Sequence, residues 1–133
     1  MKMKWLSILA TCLLTQTALA DTPSRPLACP TVSAINVELD KLQVVNHGNG
    51  WEGNILDVAL NTIHQWFVYT TPISADNEKE AVRMIKRSIP TFMLIEGPVL
   101  KGESWGCMYF NSDQNIMIAT TQPMDDMVVN ARF

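Results

Sequence analysis

The chain has 133 residues, with 10 Lys or Arg against 13 Asp or Glu and a formal net charge of −3. That balance lacks the basic stripe that nucleic-acid binding requires, and it disfavours anionic membrane surfaces. The length suits one domain with a real core and is too short for two.

The N-terminus carries an address. Lys2 and Lys4 precede an apolar run from Trp5 to Leu14, and Ala18 and Ala20 satisfy the small-residue cleavage rule. The expectation is a signal peptide over residues 1–20, cut between Ala20 and Asp21, with residues 21–133 as the exported domain. The apolar run falls short of the roughly 20 residues of a bilayer span, so no stable membrane anchor is expected after cleavage. Leu9-Ala10-Thr11-Cys12 resembles a lipoprotein box, but Thr11 fits it poorly and Cys12 lies inside the apolar stretch, where it reads as an ordinary small residue. The destination is the periplasm or the exterior. Cleavage would leave 8 basic residues against 13 acidic ones.

Cleavage would also leave two cysteines, Cys29 and Cys107. An even count in an exported protein predicts a disulfide rather than a metal site or a nucleophile. In the chain-entropy account, closing so long a loop contributes about 4.5 kcal/mol.

Residues 21–30 are rich in proline and polar residues and read as an extended leader. Thr31 can cap a short helix, since Val32, Ile35, Leu39 and Leu42 recur at helical spacing, yet Ile35, Val37 and Leu39 also alternate as in a strand. A brief helical turn over residues 31–35 followed by a strand to about Asn46 is the preferred reading, because β-branched residues dominate the end. His47-Gly48-Asn49-Gly50 marks a tight turn. Residues 51–61 fit strand or helical turn equally. Within residues 64–73, Trp66 to Thr71 form a β-prone run stopped by Pro72.

A helix is predicted over residues 75–89, with Ser74 as its cap and acidic Asp76, Glu78 and Glu80 at its positive end. Ala81, Val82, Ile85 and Ile89 line one face, and Pro90 ends it. The basic residues Lys79, Arg83, Lys86 and Arg87 are interleaved with acids and read as a solvated face. Residues 104–110 and 116–121 form a hairpin, with Trp105, Cys107 and Tyr109 on one face and Met108 and Phe110 on the other. Residues from Gln122 onward read as a tail, and no internal repeat is visible. The expected fold is α+β: an antiparallel sheet of about four strands in ββαββ order, with one amphipathic helix packed on a face.

Few residues ask to do chemistry. His47 and His64 are the only histidines and are not spaced as a metal pair, so a metal role stays open. Glu96 and Glu103 flank a turn without signs of the buried pocket that acid–base pairs need. No nucleophile elbow, phosphate loop or activated cysteine is present, so an enzyme is not expected. The mature region carries six methionines, read as core packing and a greasy tail. Trp51, Trp66, Trp105, Tyr69 and Tyr109 suit a flat ligand such as a porphyrin, with a Tyr or His reaching the iron, and they suit an ordinary core as well.

Cys29-Pro30 with Val32 and Ile35, the strand 66–71, Ala75-Asp76, Gly97-Pro98, Trp105-x-Cys107-x-Tyr109 and Ala119-Thr120-Thr121 together resemble a group of small exported bacterial proteins. These are known from Legionella-type intracellular bacteria, form a largely uncharacterised family, and include a protein described as hemin-binding. The resemblance implies a hemin role and contributes no site positions of its own. The expectation is an exported, non-enzymatic binding protein for hemin or a similar flat apolar ligand, with His47, His64, Trp66, Tyr69, Trp105 and Tyr109 as candidate ligand-binding residues. The alternative is a protein-interaction module, an envelope accessory or secreted factor without a small-molecule ligand.

Overall fold

The structure is a computed structural model and describes Pro26 and residues 28–124. The signal-peptide region, its Ala20–Asp21 junction, Cys12 and the residues after Met124 lie outside the described residues.

The first element is α1 (Val32–Val37), capped at Thr31, whose hydroxyl accepts from the Ala34 N–H. A 3₁₀ turn (Leu39–Lys41) follows. Helical spacing therefore prevails over the alternating one through Leu42, and Ile35 is fully buried while Val32, Leu39 and Leu42 pack against the core. Strands β1 (Gln43–Asn46) and β2 (Trp51–Val58) form a hairpin closed by the His47 N–H on the Gly50 carbonyl. The ambiguous residues 51–58 are strand because they pair on both sides, with β1 and with β3 (Trp66–Thr70).

The main helix, α2 (Glu78–Ser88), begins later than Ser74 would place it. Trp51 and Ile73 exchange both backbone hydrogen bonds, at 2.7 and 2.9 Å, which holds the chain extended there. Asn77 caps instead, accepting from the Glu80 N–H. Ala81, Ile85 and Ile89 face the core as their spacing requires. Pro90 does not stop the chain in coil but sits inside a 3₁₀ turn (Ile89–Thr91).

Next come β4 (Met93–Lys101), β5 (Ser104–Phe110) and β6 (Ile116–Thr120). The fold is α+β as expected, but its sheet has six antiparallel strands, ordered β1-β2-β3-β6-β5-β4, in place of about four. The ββαββ reading omits β4 and leaves β2 undecided between strand and helical turn. Gly97-Pro98 in its middle looks like a turn, yet β4 is an edge strand, where a missing N–H removes no interior ladder bond. Two register shifts around Glu96 absorb the irregularity.

The element order helix, 3₁₀ turn and three strands occurs twice, and the third strands of the two halves, β3 and β6, lie side by side at the sheet centre. No sequence repeat accompanies it. Both helices share one face of the sheet, where Ile35, Ile85 and Ile89 join Ile55, Val68, Cys107, Tyr109 and Met117 in one buried cluster. A Cβ at Gly53 would lie 3.0 Å from the Ile85 side chain, so glycine lets α2 approach β2 closely. On the outer face, Tyr69 and Ile118 form a second cluster with Phe67, Met108, Ile116 and Met124. The Met124 N–H donates to Tyr69 Oη at 2.9 Å, so the start of the tail lies against this face.

Candidate functional site: the cleft between the leader and the β2–β3 loop

Three facts build this site. The first is the disulfide between Cys29 and Cys107, which ties the leader to β5 across 78 residues, with Cα atoms 5.9 Å apart. Beside it, the Tyr109 hydroxyl donates to the Pro30 carbonyl. Pro26 is fully buried. The described part of the leader, Pro26 and residues 28–30, is thus a fixed wall. Gly97 makes room for it: a Cβ there would stand 2.9 Å from Cys29 Sγ.

The second is the loop between β2 and β3. Leu60 and Asn61 have left-handed backbones, with φ of 51° and 60°, and Asp57 has one at 59° inside the register shift near the end of β2. Such angles are uncommon outside glycine and are held only where surrounding structure enforces them. Thr62 supplies that enforcement. Its N–H and hydroxyl both donate to the Ala59 carbonyl, and its Oγ1 accepts from the His64 N–H and from Trp66 Nε1, the latter at 2.7 Å. Leu60 is buried and anchors the loop, while Ile63 is 92% exposed at its tip.

The third is the space between them, a cleft of about 420 Å³ lined by Pro26, Ala28 and Pro30 on one side and Leu60, Ile63 and His64 on the other. Its walls are mostly apolar, and its volume lies in the range of small-molecule pockets, roughly 300–1,000 Å³. His64 stands edge-on to Trp66, with ring centroids 6.3 Å apart. Its Nε2 is buried and has no hydrogen-bond partner among the described residues. Buried polar atoms are nearly always paired, so an orphan on a residue of the cleft lining marks a group that a ligand would satisfy once the ring turns toward it.

Of the six residues expected to bind, His64 lines the cleft. Trp66 is fully buried behind it, and Tyr109 is fully buried behind the leader. Burial pushes the Tyr109 hydroxyl well above the usual phenol range, since no ionised oxygen is solvated there. Tyr69 lies on the outer face, Trp105 stands half-buried at the start of β5, and His47 occupies the β1–β2 turn. The six do not converge on one pocket.

His47 is more than a turn residue. Its Nε2 lies 3.1 Å from Glu52 Oε2, and Glu52 is only 4% exposed. With the Asn54 amide turned so that its NH₂ faces the acid, it donates to Glu52 Oε1 at 3.0 Å. Burial raises the Glu52 pKa, and His47 partly offsets it. Sequence reasoning missed Glu52. The signal was the Gly48–Gly50 turn, whose register pairs Val45 with Glu52 and so sets His47 diagonally beside the acid on one sheet face.

Among the described residues no group of three or more His, Cys, Asp or Glu is placed to hold a metal, and no helix is long and apolar enough to cross a membrane. Comparisons with families of known proteins, with curated proteins and with solved structures return no match.

Proposed function

We propose that this is an exported binding protein whose ligand is small, flat and apolar and sits in the leader–loop cleft. The observation that carries the reading is the orphaned His64 Nε2 in the lining of an apolar cleft. The disulfide agrees with export, since such bonds persist in oxidising compartments. Proline faces and Ile63 offer flat apolar contact to a ring system, and a turn of the His64 ring, whose Nε2 is buried, would bring it one polar atom.

Hemin, which the family resemblance implies, is the first probe. An imidazole nitrogen without a partner fits iron ligation. Tyr109 does not fit it, because its hydroxyl is engaged with Pro30 and burial opposes its ionisation. The test is a hemin titration of the oxidised protein followed in the Soret band, with albumin as competitor. A saturable one-to-one shift that His64→Ala abolishes supports the reading; a linear, non-saturating change overturns it.

A second reading, a protein-interaction module, is favoured by β4. It is an edge strand carrying Met93, Leu94 and Ile95 in succession at 69%, 47% and 56% exposure, beside Phe110 on β5. Exposed apolar edges are templates for strand pairing. A specific partner recovered by the native protein and lost by Ile95→Lys would establish it.

A further inference from the structure

The cleft has one wall that depends on a bond. Upstream of Thr31, the described attachments of the leader are the Cys29–Cys107 disulfide, the hydrogen bond from Tyr109 to Pro30, and the packing of buried Pro26 and Pro30. The opposite wall, residues 60–64, is held by its own Thr62 network and by Trp66, independently of the disulfide. The six strands pair with one another in a single sheet, and α2 packs on it in a core cluster that Cys29 joins from the leader. The two cysteines differ in burial: Cys107 is fully buried, whereas Cys29 is 9% exposed and is among the residues lining the cleft.

We infer that the Cys29–Cys107 bond is a thiol–disulfide exchange site that gates the cleft, opened by a dithiol reductant and shielded by bound ligand. This rests on the binding reading of the cleft. A thiolate of the reductant attacks Cys29 Sγ, the sulfur of the less buried cysteine; the S–S bond breaks and the Cys107 sulfur leaves and takes a proton. The second thiol of the reductant attacks the mixed disulfide, Cys29 leaves as a thiolate and is protonated, and the reductant departs as a disulfide. Two electrons and two protons are transferred in all. With the bond gone, the leader retains one hydrogen bond and two buried prolines, and it swings away from residues 60–64. The cleft loses a wall while the sheet persists. Reciprocity then requires that a ligand covering Cys29 slow the reduction by the factor that reduction weakens the ligand.

The experiment is native-state hydrogen exchange on the oxidised protein and on the dithiothreitol-reduced protein, read at Ala28, Cys29 and residues 60–64 and, as controls, at Ile85 and Val68. A Cys29→Ser/Cys107→Ser double variant serves as a reductant-free copy of the open state. The expected result is exchange about tenfold or more faster at the cleft in the reduced and double-variant proteins, with the controls unchanged, and a hemin affinity weakened by a similar factor. Unchanged exchange at the cleft overturns the gate. Equal acceleration at the controls also overturns it, because the bond is then a staple of the whole fold. Selective opening of the cleft in a protein whose oxidised form does not bind hemin supports the gate and sinks the hemin reading instead.

Discussion

Tyr109 donates its hydroxyl to the carbonyl of Pro30, while Cys107, two residues before it on the same face of β5, bonds to Cys29, the residue before Pro30. Two neighbouring positions on one strand therefore grip two neighbouring positions on the leader, one covalently and one by a buried hydrogen bond. That double grip makes a leader, otherwise a loose extension, into a wall of the cleft.

Tyr109→Phe removes the donor and leaves the Pro30 carbonyl buried without its partner. Unsatisfied buried groups cost about 1–3 kcal/mol. The variant is expected to lose that much stability in urea unfolding with an unchanged m-value, and to weaken hemin binding through the displaced leader. A loss confined to below about 0.5 kcal/mol would mean that the bond contributes little.

The left-handed residues of the β2–β3 loop separate strain from packing. Asn61 is exposed, so Asn61→Gly removes a backbone cost without losing contacts and is expected to leave stability within about 0.5 kcal/mol. Leu60 is left-handed and buried, so Leu60→Gly loses core contact that outweighs the relief, for a net loss of about 2–4 kcal/mol. Thermal unfolding of the two variants checks the contrast.

Glu52 gives the protein a pH signature. Burial raises its pKa in the folded state, so folded protein holds a proton that unfolded chain releases, and this group's contribution to stability falls as pH rises above about 4.3, the usual unfolded glutamate value. The His47 pairing opposes burial without reversing it. Glu52→Gln removes that term. The variant is expected to gain stability relative to the native protein at pH 7 and to lose the advantage toward pH 4, measured as melting temperature across that range. A variant less stable than the native protein at both ends would show that the His47–Glu52 pair stabilises the fold outright.

The β4 edge makes a prediction of its own. Ile95 is more than half exposed, so Ile95→Lys is expected to change folding stability by less than about 0.5 kcal/mol. It should reduce concentration-dependent association in sedimentation velocity if the native protein shows any.

Much of the fold was legible because local signals agreed with tertiary demands. α2 announced itself through Ala81 and Ile85, with Ile89 in the turn that follows, and the alternation of Cys107 and Tyr109 against Met108 matches the two faces of β5. The cysteine pairing followed from the two cysteines that lie beyond the expected signal peptide. The failures came where a tertiary contact overrode a local cue. Trp51 bridging Ile73 delayed the helix past Ser74, and the edge position of β4 made Gly97-Pro98 compatible with a strand. The cleft was not legible at all: it forms where Pro26 and residues 28–31 meet residues 60–64, and only the long-range disulfide and topology bring them together. His64 was named among the candidates by residue type, and its orphaned nitrogen is a property of the assembled loop alone.

The most direct test of the central claim is a hemin titration of the oxidised native protein alongside His64→Ala, read in the Soret band against albumin. The account predicts a saturable one-to-one shift in the native protein and its loss in the variant, with both proteins equally folded by circular dichroism. An identical response in the two, or a change that never saturates in either, would contradict it.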